Sequence, residues 1–222
     1  MTRVALLDVN ETLSDMEPLR ARFERVGVSP RLLDAWFAGT LRDGMALTAS
    51  GAYADFADIA RAVLRPLLGG QAELSVPLDE AVDDILAGFR ELPVHPDVEP
   101  GLRRLHDGGV RLATLTNGST AIAEGLLGRA GLSELIERFL DVTEVRLWKP
   151  HPKPYHWACE TLGVSPVDAV LIAVHPWDIH GAKRAGLRAA WLDRRGTGYP
   201  DVFDAPDLTG ADLPELAERI LA

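Results

Sequence analysis

Four short runs of apolar, β-prone residues punctuate this chain, and each stops at polar side chains: RVALLDV (3–9), RLATLTN (111–117), AVLIAV (169–174) and RAAWLD (188–193). They are mostly apolar in both alternating sets, so both faces of each strand have to be covered. A parallel sheet between two helical layers does that. Helical patterns separate the later runs. PGLRRLHDGG (100–109) stops at glycine, and STAIAEGLLGRAGL (119–132) starts at Ser119, a natural N-cap. HPKPYHWACETLGV (151–164) has proline early and glycine at its end, and WDIHGAKRAGL (177–187) offers Asp178 as N-cap. Strands alternating with helices predict right-handed βαβ units, hence an α/β chain with a Rossmann-like parallel sheet core.

The stretch after the first strand breaks this rhythm. PLRARFERVGV, PRLLDAWFAGTLRDGMAL, AYADFADIARAVLRPLL and LDEAVDDILAGFREL are four amphipathic helical patterns with no convincing strand between them. A helical cap inserted after the first strand explains the order, with residues 15–95 as cap and residues 1–14 and 96–222 as the α/β core. GGQAELSVP (69–77) and LPVHPDVEP (92–100) read as connections. The C-terminal stretch from Tyr199 reads as a loop and one closing helix.

Composition narrows the partners. The net charge of −10 argues against nucleic acid and anionic membranes, which need clustered Lys and Arg, but a few local cations can still hold a small anionic substrate. Cys159 is the only cysteine, so no intrachain disulfide framework forms, which is consistent with a reducing compartment. No stretch of about 18 apolar residues suggests a membrane span. The N-terminal run Val4–Leu7 is too short for a signal peptide. A soluble cytoplasmic protein is expected.

Ligands of open parallel sheets bind at the carboxyl ends of the strands. Four polar clusters are expected there: Asp8–Thr12, Thr116–Ser119, Lys149 after DVTEVRLW, and His175–Asp178. Each has a plain structural reading as well. Asp8 can cap a strand end, Asp178 a helix, Thr116-Asn117-Gly118 can be a turn, and Lys149 a solvated lysine. Four such clusters at matching strand ends favour a site.

Asp8 in DVNETLSD, Thr116-Asn117-Gly118-Ser119, Lys149-Pro150 and Trp177-Asp178 match in order the four motifs of the haloacid dehalogenase superfamily. Within it, DVNETL, NGS and WD most resemble the type II L-2-haloacid dehalogenases, over essentially the whole chain. The resemblance implies hydrolytic dehalogenation of a short 2-haloacid without a cofactor, with Asp8 as nucleophile forming an ester that water then cleaves. Lys149 keeps Asp8 ionised, Thr12 and Thr116 aim it, and Asp178 is the candidate for activating water. The backbone amides after Thr116, at a helix start, can hold a substrate carboxylate, and Asn117 belongs to that motif. Tyr155 is a candidate substrate contact, with a helix-surface aromatic as the plainer reading. The family also suggests a homodimer, although no interface is visible in the sequence.

Asn10 bears on the choice of reaction. In phosphatases of the superfamily the position two after the nucleophile is an aspartate that protonates the leaving alkoxide, which an amide cannot do. A halide leaves without a proton. Asn10 therefore disfavours phosphate esters and permits carbon–halogen cleavage. The alternatives are a Mg²⁺-dependent phosphatase, with Asp8, the Asn10 carbonyl and Asp178 on the metal, and a non-catalytic relative. The chain also departs from the dehalogenase pattern. Their arginine after a cap tryptophan, which helps receive the halide, is Phe37 here, after Trp36. Arg42 is the nearest substitute, but five residues along a helix turn it roughly 140° from Phe37. The family's Ser and Asn ahead of Trp-Asp are Ala173 and His175, and His175 can orient water or contact substrate. Trp36, Phe37, Tyr53 and Phe56 either wall a pocket over Asp8 or form the cap's own core. GTLRDG (39–44) is expected to be a mobile entrance segment.

Overall fold

The computed structural model describes residues 2–71 and 74–222, so the connection expected at 69–77 lies partly outside the described residues. Six parallel strands form one sheet in the order β3-β2-β1-β4-β5-β6. They are β1 (Val4–Leu7), β2 (Arg111–Thr116), β3 (Ile136–Asp141), β4 (Ala169–Ala173), β5 (Arg188–Leu192) and β6 (Leu208–Gly210). All four residues of β1 and all five of β4 are buried, as strands covered on both faces must be. Three helices cover one face: α5 (Val98–Asp107), α6 (Thr120–Arg129) and α9 (Leu213–Leu221). The other is covered by α7 (Pro152–Leu162) and α8 (Pro176–Arg184).

Two of these strands differ from expectation. β3 carries the exposed Glu137 and Arg138 at the sheet edge, Glu137 pairing with Arg111 of β2, and these charges mask its apolar pattern. DVTEVRLW adds only Asp141 to that strand and otherwise runs through turns, so Lys149 lies eight residues past the strand end. β6 is three residues long, too short to show a period. Asp178 is not the cap of α8 either. That helix begins at Pro176 with His175 in the capping position, which puts Asp178 in its first turn.

Four helices occupy the segment between β1 and α5: α1 (Leu19–Arg25), α2 (Leu32–Ala49), α3 (Phe56–Gly69) and α4 (Leu78–Phe89). The chain leaves and returns side by side through an antiparallel bridge between Ser14 and Val94. The helices pack round their own apolar cluster. Trp36 lies 6.2 Å from the Phe23 ring and 5.9 Å from Phe89, and donates its indole N–H to Ala60 O at 2.8 Å. Phe56 stacks between Phe89 and Trp148.

Trp148, from the loop after β3, joins this cluster. Its backbone N–H donates to Thr48 Oγ1 at 2.9 Å and its indole N–H to Ala54 O at 3.2 Å. Tyr53 adds a second link, with Arg146 over its ring.

GTLRDG is helical, not a loop. It forms the middle of α2, and its glycines serve close packing. A Cβ on Gly44 would sit 2.3 Å from the Trp148 ring, and one on Gly39 2.8 Å from Val63 Cγ1. Gly→Ala inside a helix normally stabilises by about 1 kcal/mol. Here Gly44→Ala is expected to cost about 1–3 kcal/mol through overpacking against Trp148. Urea unfolding of the two proteins measures the sign directly.

Candidate active site

β1 and β4 are neighbours at the point where the strand order reverses, which is where open α/β sheets bind ligands. Asp8 follows β1, its N–H still donating to Ile172 O in β4. The next turn folds Thr12 back over it. Thr12 Oγ1 donates to Asp8 Oδ2 at 2.6 Å and accepts from Val174 N at 3.1 Å, so its hydroxyl has one orientation. Lys149 is completely buried, with Nζ 3.0 Å from Asp8 Oδ1 and 2.6 Å from Asp178 Oδ2. Asn117 holds the backbone behind that ammonium: its Oδ1 accepts from Lys149 N at 2.8 Å and its Nδ2 donates to Lys149 O at 3.2 Å.

Burial pushes the Asp8 carboxyl towards protonation. The Lys149 charge, with His175 and Thr12, outweighs it and leaves Asp8 well below the usual carboxylate range. Burial also works against the Lys149 cation, but Asp178 and Asp8 raise its pKa. Asp178 is raised, chiefly by burial, which Lys149 only partly offsets. The two aspartates thus fill different roles. Asp178 is fully buried, giving Oδ2 to Lys149 and Oδ1 to the Tyr155 hydroxyl at 2.5 Å. Tyr155 is buried as well, so it is not a helix-surface aromatic, and its hydroxyl supports Asp178.

His175 lies on the other side of Asp8. Its Nδ1 is 3.2 Å from Asp8 Oδ2 and its Nε2 is 2.8 Å from Glu11 Oε2. Two carboxylate acceptors require both ring nitrogens to carry protons, so the ring is an imidazolium. Burial opposes the charge, but the bonds to Asp8 and Glu11 raise its pKa to about 9. Glu11 escaped the sequence reading, because nothing in its spacing distinguishes it from a solvated turn residue. Its backbone is left-handed at φ 61°, which costs a non-glycine residue about 1–2 kcal/mol. Three bonds hold it there: its N–H donates to Ser14 Oγ at 3.2 Å, and its carbonyl accepts from His95 Nε2 at 3.1 Å and Arg194 Nη1 at 3.3 Å.

A cavity of about 520 Å³ opens between α2 and the core, with Glu11, Phe37, His175, Arg194 and Arg195 in its wall. Asp8 does not line it. His175 and Glu11 stand between the nucleophile candidate and this space, and Asp8 itself is 4% exposed. Phe37 faces the His175 ring at 6.4 Å.

Several expected members lie elsewhere. Trp36 and Phe56 belong to the aromatic cluster of the four helices. Because α2 is unbroken, Arg42 points outward, 72% exposed and paired with Asp43. Thr116 Oγ1 accepts from Gly118 N at 2.9 Å and does not aim Asp8. Gly118 N is therefore engaged, and Thr120 N donates to Asp141 Oδ2 at 2.8 Å, so two of the amides expected to hold an anion already have partners. Asn10 is buried, with its amide 3.4 Å from the position a Cβ on Gly118 would take. Every oxygen of Asp8 and Asp178 already accepts from a side-chain donor. Among the described residues no three His, Cys, Asp or Glu side chains converge as a metal site. The pair Asp8 and Asp178 with the Asn10 carbonyl is a poor fit to Mg²⁺.

Residues 2–186 match the haloacid dehalogenase-like hydrolases. Haloacetate dehalogenase H-2 of Moraxella sp. (strain B) is 33% identical over 54% of each chain, so the match spans about half the length of that relative. (S)-2-haloacid dehalogenase 1 of Pseudomonas sp. (strain CBS-3) is 28% identical over 97% of this chain and 92% of its own. Phosphoserine phosphatase of Thermus thermophilus is 36% identical over 68% of this chain and 61% of its own. The solved L-2-haloacid dehalogenase RSc1362 superposes with a TM-score of 0.92 at 26% identity, covering 100% of this chain and 99% of that one.

A group whose pKa is raised on folding adds stability below its unfolded value and loses it as pH rises through the folded one. The His175 contribution is therefore complete below about 6.5, declines above that, and is gone above about 9. It amounts to about 3 kcal/mol. Unfolding free energy is expected to fall between pH 6 and pH 9.5 in the wild type, and His175→Asn is expected to remove that part of the slope.

Proposed function

The chain belongs to the haloacid dehalogenase-like hydrolases, and from that premise we propose that it hydrolyses the carbon–halogen bond of a short 2-haloacid through an ester on Asp8. One observation carries the reading: Asp8 is held ionised and aimed by Lys149 and Thr12, with an amide, Asn10, where a proton donor for an alkoxide would stand. An Asp8 oxygen attacks the carbon, the halide departs with the bonding electrons, and water then cleaves the ester to a 2-hydroxy acid. Neither step needs a metal. Local similarity to a phosphatase does not weigh heavily against this, because the two reactions share the nucleophile and differ in how the leaving group is handled.

We take this cavity as the approach to Asp8, which lies behind His175 and Glu11; its wall carries both signs of charge, with Glu11, Asp15, Asp34 and Asp193 beside the arginines. Arg195 lines it and has no ion pair among the described residues, and the His175 cation forms part of its inner wall. No helix of the described residues is long and apolar enough to cross a membrane. A paired assay tests the reading. Halide release from L- and D-2-chloropropionate and haloacetates is expected with chelator present, while phosphate release with Mg²⁺ stays at background. Asp8→Asn is expected to lower halide release by at least about a thousandfold. Chelator-sensitive phosphate release with no halide would replace this function with the phosphatase one.

A further inference from the structure

Ester hydrolysis needs a base beside the Asp8 carboxyl carbon, at a place water can reach. Asp178 shares the Lys149 ammonium with Asp8 but fails the second condition: it is fully buried and both its oxygens are bonded, to Lys149 and to Tyr155. His175 meets both. Its Nδ1 is 3.2 Å from Asp8 Oδ2, its ring opens onto the cavity, and its Nε2 is anchored 2.8 Å from Glu11. We propose that His175 is the general base of the ester-hydrolysis step, and that Glu11 is the positioning residue that holds Nε2–H and turns Nδ1 towards the Asp8 carboxyl group. The proposal rests on the ester mechanism above and replaces Asp178 as the group that activates water.

The charges facing the ring are Asp8, after β1, and Glu11, in the turn that follows. From α2 and α8 the ring meets aromatic side chains, Phe37 at 6.4 Å and Trp177 at 4.9 Å. In the free enzyme two carboxylates keep the ring protonated. Esterification cancels the charge on Asp8, so the ring's proton affinity falls and its Nδ1 proton passes to solvent through the cavity. The first half-reaction thus prepares the base for the second. Water attacks Asp8 Cγ and gives one proton to Nδ1. The tetrahedral intermediate then expels the alkoxide, which takes that proton and leaves as the 2-hydroxy acid. The acid left on Asp8 returns its remaining proton to His175, restoring the starting ion pair. The balance is one haloacid and one water giving one hydroxy acid, one halide and one proton.

Rapid-quench experiments with L-2-chloropropionate, reading halide and intact-protein mass, test this. His175→Phe, which can neither accept a proton nor orient water, is expected to release about one halide per protein and to retain the carboxyethyl ester, with ester decay slowed by about a hundredfold or more. Wild-type ester decay is expected to rise with pH along one limb and then level off. Glu11→Gln should shift that limb to lower pH and lower the plateau, and Glu11→Asp should recover part of the loss. Ester decay in His175→Phe at the wild-type rate, or with the wild-type pH limb, overturns the proposal. If that variant does not fold, a flat wild-type profile or an unaltered Glu11→Gln profile overturns it. Wild-type protein giving neither halide nor adduct removes the ester mechanism itself, an outcome distinct from a failure of His175 alone.

Discussion

A single ammonium group between two buried carboxylates organises this molecule. Lys149 has no exposed surface, and a cation in that position persists only because Asp8 and Asp178 both face it. The three groups form a chain of alternating charge across the carboxyl end of the sheet, from the loop after β3 to the ends of β1 and β4. The carboxylates are chemically alike, and their surroundings separate them. Asp178 is immobilised by Tyr155 and burial. Asp8 lies under a threonine, a lysine and an imidazolium, all of which favour its anion.

The imidazolium marks this chain's own character. A neutral amide at the same place could orient water, but it could not change its protonation state as Asp8 gains and loses charge. Glu11 makes that ring a directed group, and the cost of its left-handed backbone is offset by bonds from Ser14, His95 and Arg194. The strained turn and the unusual histidine are therefore one device.

The sheet was largely legible because four of its strands are buried on both faces and so read as unbroken apolar runs. β3 and β6 were not, the first because charged residues interrupt it at the sheet edge, the second because it is too short. Asp8, Lys149 and Asp178 stood out through motif order, and the structure brings them within bonding distance. Roles were harder to read than positions. The bonds of Tyr155 to Asp178 and of Asn117 to the Lys149 backbone are not legible, because sequence does not reveal which side chains face inward. Arg42 needed a break in α2, and the contact of Gly44 with Trp148 shows why that helix continues. Glu11 was invisible because its importance comes from a backbone angle and a spatial neighbour 164 positions away.

Trp148 and Lys149 are consecutive. Trp148 is clamped among the four inserted helices, its backbone N–H on Thr48 and its indole on Ala54 and against Gly44, while the next side chain bridges Asp8 and Asp178. One planar peptide joins them, so the loop after β3 puts the packing of the inserted helices and the charge balance around Asp8 on adjacent residues.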